Sequence, residues 1–99
     1  MKLFQLVESI TLNHHQRYIL LQIKLASTPT LAFEQVNKSE ADVKATEMLR
    51  RVGLIRISEE RNTAELSETG ERAVVEYGLV DETGEVTEIG EELLAAIQR

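Results

Sequence analysis

A segment that is apolar on nearly every side most constrains how this chain can fold. Seven of the nine residues from 18 to 26 are apolar: Tyr18, Ile19, Leu20, Leu21, Ile23, Leu25 and Ala26. A helix that is apolar all round is stable only where neighbouring elements cover it. Since a chain of 99 residues builds one core of modest size, we expect this helix at the centre of that core and a single domain over residues 1–99.

Polar residues mark the ends of this helix and of the two that follow. Asn13 can cap this apolar helix. Pro29 ends it, because proline donates no amide hydrogen and favours the first turn of a new helix. A short second helix is expected over residues 29–36. Ser39 is expected to cap a third helix over residues 39–52. The predicted inward face of the third helix consists of Ala41, Ala45, Met48, Leu49 and Val52.

The second half of the chain contains one pattern twice. Gly53-Leu54-Ile55 recurs as Gly78-Leu79-Val80, and Leu66-Ser67-Glu68-Thr69-Gly70-Glu71 recurs as Val86-Thr87-Glu88-Ile89-Gly90-Glu91. Each copy is expected to run from a glycine that ends a helix, through two short strands joined by a turn, into a further helix. The pattern predicts a hairpin over residues 54–67, and a smaller hairpin with a last helix over residues 78–99.

The order of three helices and a hairpin resembles the winged helix-turn-helix domain of the MarR-type bacterial transcriptional regulators. The residues that carry the resemblance are Leu12-Asn13-His14-His15-Gln16-Arg17-Tyr18-Ile19-Leu20, Leu49 four positions before Gly53-Leu54-Ile55, and Leu66-Ser67-Glu68-Thr69-Gly70. The resemblance covers residues 12–77. It implies an α+β fold, mostly α, with a three-helix core followed by a β-hairpin wing. Residues 78–99 then form an extension made of the second small hairpin and the last helix.

The resemblance also implies a DNA-binding regulator of transcription. In such a protein the helix over residues 39–52 lies in the major groove and the hairpin over residues 54–67 is the wing. The residues expected to contact DNA lie before the third helix, on it away from its predicted inward face, and on the wing: Lys38, Lys44, Thr46, Arg50, Arg51, Arg56 and Arg61.

MarR-type proteins dimerise through their terminal helices, so a homodimer is expected. Two apolar stripes at helical spacing are the candidate surfaces. One consists of Leu3, Leu6, Val7 and Ile10, within a short helix expected over the first dozen residues, and the other of Leu93, Leu94 and Ile97.

The formal net charge of −6 is distributed unevenly along the chain. Residues 62–99 carry ten acidic and two basic side chains, whereas residues 38–61 carry five acidic and six basic ones. The part expected to contact DNA is therefore close to neutral, and the net charge does not exclude a duplex. The alternative is a winged-helix adaptor that binds a basic protein through its acidic C-terminal third. Three acidic residues on the third helix fit that alternative: Glu40, Asp42 and Glu47.

Other classes of function lack the residues that they require. The chain has no cysteine, and therefore no disulfide, thiolate nucleophile or sulfur ligand for zinc, so a reducing cytoplasm is the expected location. No apolar run approaches the roughly 20 residues that span a bilayer, so no membrane partner is expected. His14 and His15 are adjacent and cannot form an i, i+4 ligand pair, so they are interpreted as surface or cap residues. Without a nucleophile beside a base or a phosphate-binding loop, neither an enzyme, nor a metal site, nor a cofactor is predicted.

Overall fold

The computed structural model describes residues 11–97, in which five helices and a two-stranded antiparallel hairpin form a small, mostly helical α+β fold. The elements in chain order are α1 (His14–Leu25), α2 (Pro29–Gln35), α3 (Glu40–Arg51), β1 (Ile55–Ser58), β2 (Thr63–Leu66), α4 (Glu68–Glu76) and α5 (Glu88–Ala96). The predicted α+β class and the order of these elements are confirmed. The stripe of Leu3, Leu6, Val7 and Ile10 lies outside the described residues.

Helix α1 lies at the centre of the hydrophobic core, as its apolar pattern predicts. Ile19, Leu20 and Leu21 are fully buried, and α1 packs against α2, α3, α4, α5 and β2. The start of α1 is fixed by a capping box, in which Asn13 Oδ1 accepts a hydrogen bond from the Gln16 amide and Gln16 Oε1 accepts one from the Asn13 amide. Local capping therefore sets where the central helix begins, and burial of its apolar sides sets where it lies.

Helix α3 faces the core with a row of residues that matches the predicted one only in part, since Ala45 and Leu49 are buried as predicted. The buried residues are Asp42, Ala45, Thr46 and Leu49, whereas Ala41, predicted to face inward, is exposed. Polar side chains can be buried where hydrogen bonds satisfy them, and both Asp42 and Thr46 have such partners. The prediction counted only apolar residues as inward, which rotated the expected face toward Ala41.

The first copy of the repeated pattern joins α3, the hairpin and α4. Gly53 has a φ of 83° and follows the end of α3, which is a conformation that glycine adopts without strain. The Ser67 amide donates to the Leu54 carbonyl oxygen at 3.0 Å, and Ser67 Oγ donates to the Gly53 carbonyl oxygen at 2.6 Å. The same Oγ accepts from the Gly70 amide at 3.1 Å and so caps α4. One serine thus fixes the hairpin against the helix that follows it.

The second copy of the pattern makes the same joint with threonine in the place of serine. The Thr87 amide donates to the Leu79 carbonyl oxygen at 3.1 Å. Thr87 Oγ1 donates to the carbonyl oxygen of Gly78, the residue before Leu79. Thr87 Oγ1 also accepts from the Gly90 amide at the start of α5. The repeat found in the sequence is therefore also a repeat of hydrogen bonds.

The predicted second hairpin is shorter than expected, because its strands are reduced to one antiparallel bridge between Val80 and Val86. Hydrogen bonds of Asp81 explain the difference. Its carbonyl oxygen accepts from the Gly84 amide at 3.0 Å, and its Oδ1 accepts from the Glu85 amide at 3.1 Å. The Asp81 carbonyl oxygen and the Glu85 amide, which would bond to each other if the two strands were longer, are thus bonded within the turn.

The last helix turns its apolar stripe toward the core of its own chain. Leu93 is buried, and Leu94 and Ile97 are partly buried against the same cluster. Leu93 is therefore not available to a second copy, and Leu94 and Ile97 are available only in part. None of the helices within residues 11–97 combines the length and the apolar character needed to cross a membrane.

Candidate nucleic-acid interface

Helix α3 and the hairpin expose six of the seven residues predicted to contact DNA. We call these six the helix–hairpin cations: Lys38, Lys44, Arg50, Arg51, Arg56 and Arg61. Lys38 precedes the Ser39 cap of α3, three of the cations lie on α3 itself, one is on β1, and one is in the turn between the strands. All six side chains are exposed.

The seventh predicted residue, Thr46, is buried, and its predicted place on the exposed side of α3 is wrong. Only 8% of its surface is exposed. Thr46 Oγ1 donates to the Val36 carbonyl oxygen at 3.2 Å, just after the end of α2. The hydroxyl satisfies a carbonyl group at a helix end that has no partner within the helix. Thr46 therefore joins α3 to α2.

Two of the helix–hairpin cations have a single carboxylate partner on their own element or on the paired strand. Lys44 Nζ lies 3.6 Å from Glu40 Oε1 on α3, and the Arg56 guanidinium lies 3.7 Å from Glu65 Oε2 across the hairpin. All four side chains are at least half exposed. Exposed pairs of this kind contribute about 0–1 kcal/mol, so these cations can exchange their partners for another anion at little cost.

Arg50 connects α3 to the turn of the hairpin. Its guanidinium lies 3.5 Å from a carboxylate oxygen of Glu47 on α3 and 3.9 Å from one of Glu59 in the turn. These charges form the rim of a groove of about 230 Å³ between α2, α3 and the hairpin. We call it the helix–hairpin groove; its apolar lining residues are Phe33, Val36, Val43 and Ile57.

The remaining cations have no such partner in the part of the chain that is described. None of the ion pairs formed within residues 11–97 involves Lys38, Arg51 or Arg61. The helix–hairpin cations therefore divide into three that carboxylates partly neutralise and three that they do not. The surface has alternating positive and negative groups, not one continuous positive stripe.

A hydrogen bond between a histidine and a buried acid at the start of α3 was not predicted from the sequence. Asp42 is fully buried, and its two carboxylate oxygens accept hydrogen bonds from His15 Nε2 at 2.8 Å and from the Lys38 amide at 3.1 Å. The sequence pattern indicates an exposed acid at Asp42 and a surface or cap residue at His15. The sequence does contain one indication of the contact with the Lys38 amide. Asp42 stands three residues after the Ser39 cap, where a carboxylate can accept a hydrogen bond from an amide before the helix.

A metal site finds no support in the described side chains. Within residues 11–97, no three His, Asp or Glu side chains come together in a group that could hold a metal ion. Comparison of the chain with protein-family models, with curated proteins and with solved structures finds no match.

Proposed function

We propose that this chain is a winged-helix DNA-binding protein that regulates transcription, with α3 in the major groove and the hairpin as its wing. One observation carries the proposal. A capped helix that packs on the central helix exposes Lys44, Arg50 and Arg51, and the hairpin beside it exposes Arg56 and Arg61. This is the combination that a winged helix uses, with a helix for base edges and a hairpin for the adjacent backbone.

The balance of charge on this surface limits how tightly one copy can bind. Each phosphate contact contributes a slope of about 0.9 to the dependence of log affinity on log salt. Six cations, three of which share their charge with carboxylates, favour modest affinity for one copy. The proposal therefore includes a homodimer on a two-part operator, and a cytoplasmic location in which such a regulator meets the chromosome.

Binding to a pool of random duplex DNA at two salt concentrations tests the proposal. The wild-type chain is expected to bind at low salt. The R50A/R51A variant is expected to bind more weakly, with a salt slope reduced by about 0.9 for each phosphate that it no longer neutralises. Arg72→Ala on α4 removes one exposed charge outside the helix–hairpin cations and is the control. A wild-type chain without any affinity for duplex DNA at low salt would contradict the proposal.

The second candidate function is a winged-helix adaptor that binds a basic protein partner. The observation that favours it is on α5, where 58% of the surface of Ile89 is exposed. Exposed carboxylate side chains surround this position in the sequence: Glu85, Glu88, Glu91 and Glu92. An apolar anchor with acidic neighbours suits a partner that offers an apolar pocket with a basic rim.

Exchanging Ile89 distinguishes the two candidates. Ile89→Ser leaves the helix–hairpin cations untouched, so under the DNA-binding proposal it leaves the duplex affinity unchanged. Under the adaptor hypothesis, the wild-type chain binds a basic protein surface and loses that binding in the I89S variant. The duplex assay measures DNA binding by wild type and I89S. Cross-linking of each purified protein to partners in an extract of its source measures binding to a basic protein.

A further inference from the structure

Three residues of α3 form a row that runs along the helix–hairpin groove, and this row bears on how the proposed DNA-binding function would select its sequence. Val43, Glu47 and Arg50 are spaced i, i+4 and i+7, and all three line the groove. Residues at this spacing lie on one side of a helix, one above the other. If α3 enters a major groove, this row is on the side next to the wing.

Glu47 is the unexpected member of the row. It is a carboxylate in the middle of α3, more than half exposed, and Arg50 is its ion-pair partner within the described residues. A carboxylate beside a phosphate backbone is repelled, so it weakens binding to DNA in general. The exception in the major groove is cytosine, whose N4 amino group donates a hydrogen bond that a glutamate accepts. Arg50 at 3.5 Å offsets part of the repulsion and leaves Glu47 able to accept that bond.

Val43 is the apolar member of the row. It lies one helical turn before Glu47, and 44% of its surface is exposed, outside the hydrophobic core that the described residues form. The apolar group that a base presents in the major groove is the methyl group of thymine. One turn of helix advances about 5.4 Å, whereas base pairs are stacked about 3.4 Å apart. The two side chains therefore reach base pairs one or two steps apart.

We propose that Val43 and Glu47 are specificity-determining residues, which select a thymine and a cytosine one or two base pairs apart. The inference rests on the proposed DNA-binding function and adds to it the bases selected. It also gives the acidic charge on α3 a role, since Glu47 lowers affinity for every site that lacks a cytosine amino group at this position. The selectivity comes from rejecting other sequences as well as from binding the right one.

Selection from a random duplex pool with wild type and with E47Q tests the role of Glu47. The wild-type chain is expected to enrich a site with one strongly preferred cytosine, because a well-placed base contact discriminates by about 5- to 150-fold. E47Q is expected to shift that preference from cytosine toward adenine, because a glutamine amide both accepts and donates, and to bind unselected duplex more tightly than wild type. Glu59→Gln is the matched control, because Glu59 pairs with the same arginine but lies in the hairpin turn. E59Q should raise general affinity and leave the selected sequence unchanged.

Deoxyuridine in place of thymine tests the role of Val43, since it removes the methyl group alone. The wild-type chain is expected to lose several-fold in affinity for the substituted site, and V43A, with its smaller apolar side chain, is expected to show a smaller difference between the two sites. Retention of the same preferred bases by E47Q and V43A would overturn the inference and leave the DNA-binding function standing. If the wild-type chain enriches no sequence and binds no duplex at low salt, the DNA-binding function itself is wrong and the inference fails with it.

Discussion

His15 Nε2 on α1 lies 2.8 Å from Oδ1 of Asp42 on α3, and the Asp42 carboxylate is fully buried. An ionised carboxylate accepts hydrogen bonds and donates none, so the imidazole Nε2 donates. The other oxygen of Asp42 accepts from the Lys38 amide in the turn before α3. One buried side chain thus holds together the start of α1, the start of α3 and the turn that leads into α3.

Replacement of His15 by alanine is expected to destabilise the fold by about 1.5–3 kcal/mol, the usual contribution of a hydrogen bond to a charged group. The physical reason is that a buried carboxylate loses a donor and stays away from water. Urea-induced unfolding measures the change. His14 is the matched control because it is the neighbouring histidine and is exposed, and H14A is expected to change stability by less than about 0.5 kcal/mol. Equal effects of the two substitutions would contradict a structural role for His15.

Thr46 and Arg51 are expected to separate stability from DNA binding. Thr46→Val keeps the shape of the buried side chain but removes the bond to the Val36 carbonyl group, so it should lower the free energy of unfolding by about 1 kcal/mol. Its duplex affinity should stay within about twofold of wild type, since a buried group makes no contact with DNA. Arg51→Ala should do the reverse, with unchanged stability and weaker binding. A loss of affinity in T46V as large as that in R51A would return Thr46 to the DNA-contacting set.

Gly53 and Gly70 lie where the hairpin meets α3 and α4. Alanine at the two positions should lower the free energy of unfolding by different amounts. A Cβ on Gly70 would collide with the carbonyl oxygen of Leu54, which is backbone and cannot move aside, so G70A is expected to cost about 3 kcal/mol or more. A Cβ on Gly53 meets nothing within 4 Å, and only its φ of 83° opposes the change, which costs about 1 kcal/mol. Urea midpoints of the two variants give the order. A larger loss for G53A would show that the close approach at Gly70 is relieved at little cost.

Helix starts could be predicted from the sequence because the interactions that set them are local. Asn13, Ser39, Ser67 and Thr87 each accept an amide hydrogen bond from a residue three positions later. The central position of α1 could be predicted as well, because an all-apolar helix has no other stable place. The recurrence of the Ser67 pattern at Thr87 correctly predicted how the second hairpin meets α5. The pairing of strands in that hairpin is shorter than expected.

The inward face of α3 could be predicted only in part: Ala45 and Leu49 are buried as expected, but the burial of its polar residues has determinants that are distant in the sequence. Asp42 is buried with a hydrogen bond from His15, which stands 27 residues earlier, and no periodicity in α3 contains that information. Burial of Thr46 depends in the same way on a carbonyl group at the end of α2. The distribution of carboxylates around the cations is also a property of the folded chain, since Arg50 meets Glu59 only when the hairpin lies beside α3.

Asp81 is expected to make stability depend on pH in the acid range. The Thr83 hydroxyl donates to Oδ1 at 2.6 Å, and the amides of Thr83 and Glu85 add to it, so these hydrogen bonds lower the pKa of Asp81 below its ordinary value. A carboxyl whose pKa is lower in the folded than in the unfolded chain contributes stability above the unfolded pKa of about 3.9. That contribution is lost as the pH falls through the folded pKa. The difference in urea midpoint between wild type and D81N should therefore be largest near neutral pH and should shrink from about pH 5 to about pH 2. Glu82→Gln, at the exposed next position, is the control, and a difference for D81N that stays constant over this range would contradict the role assigned to these hydrogen bonds.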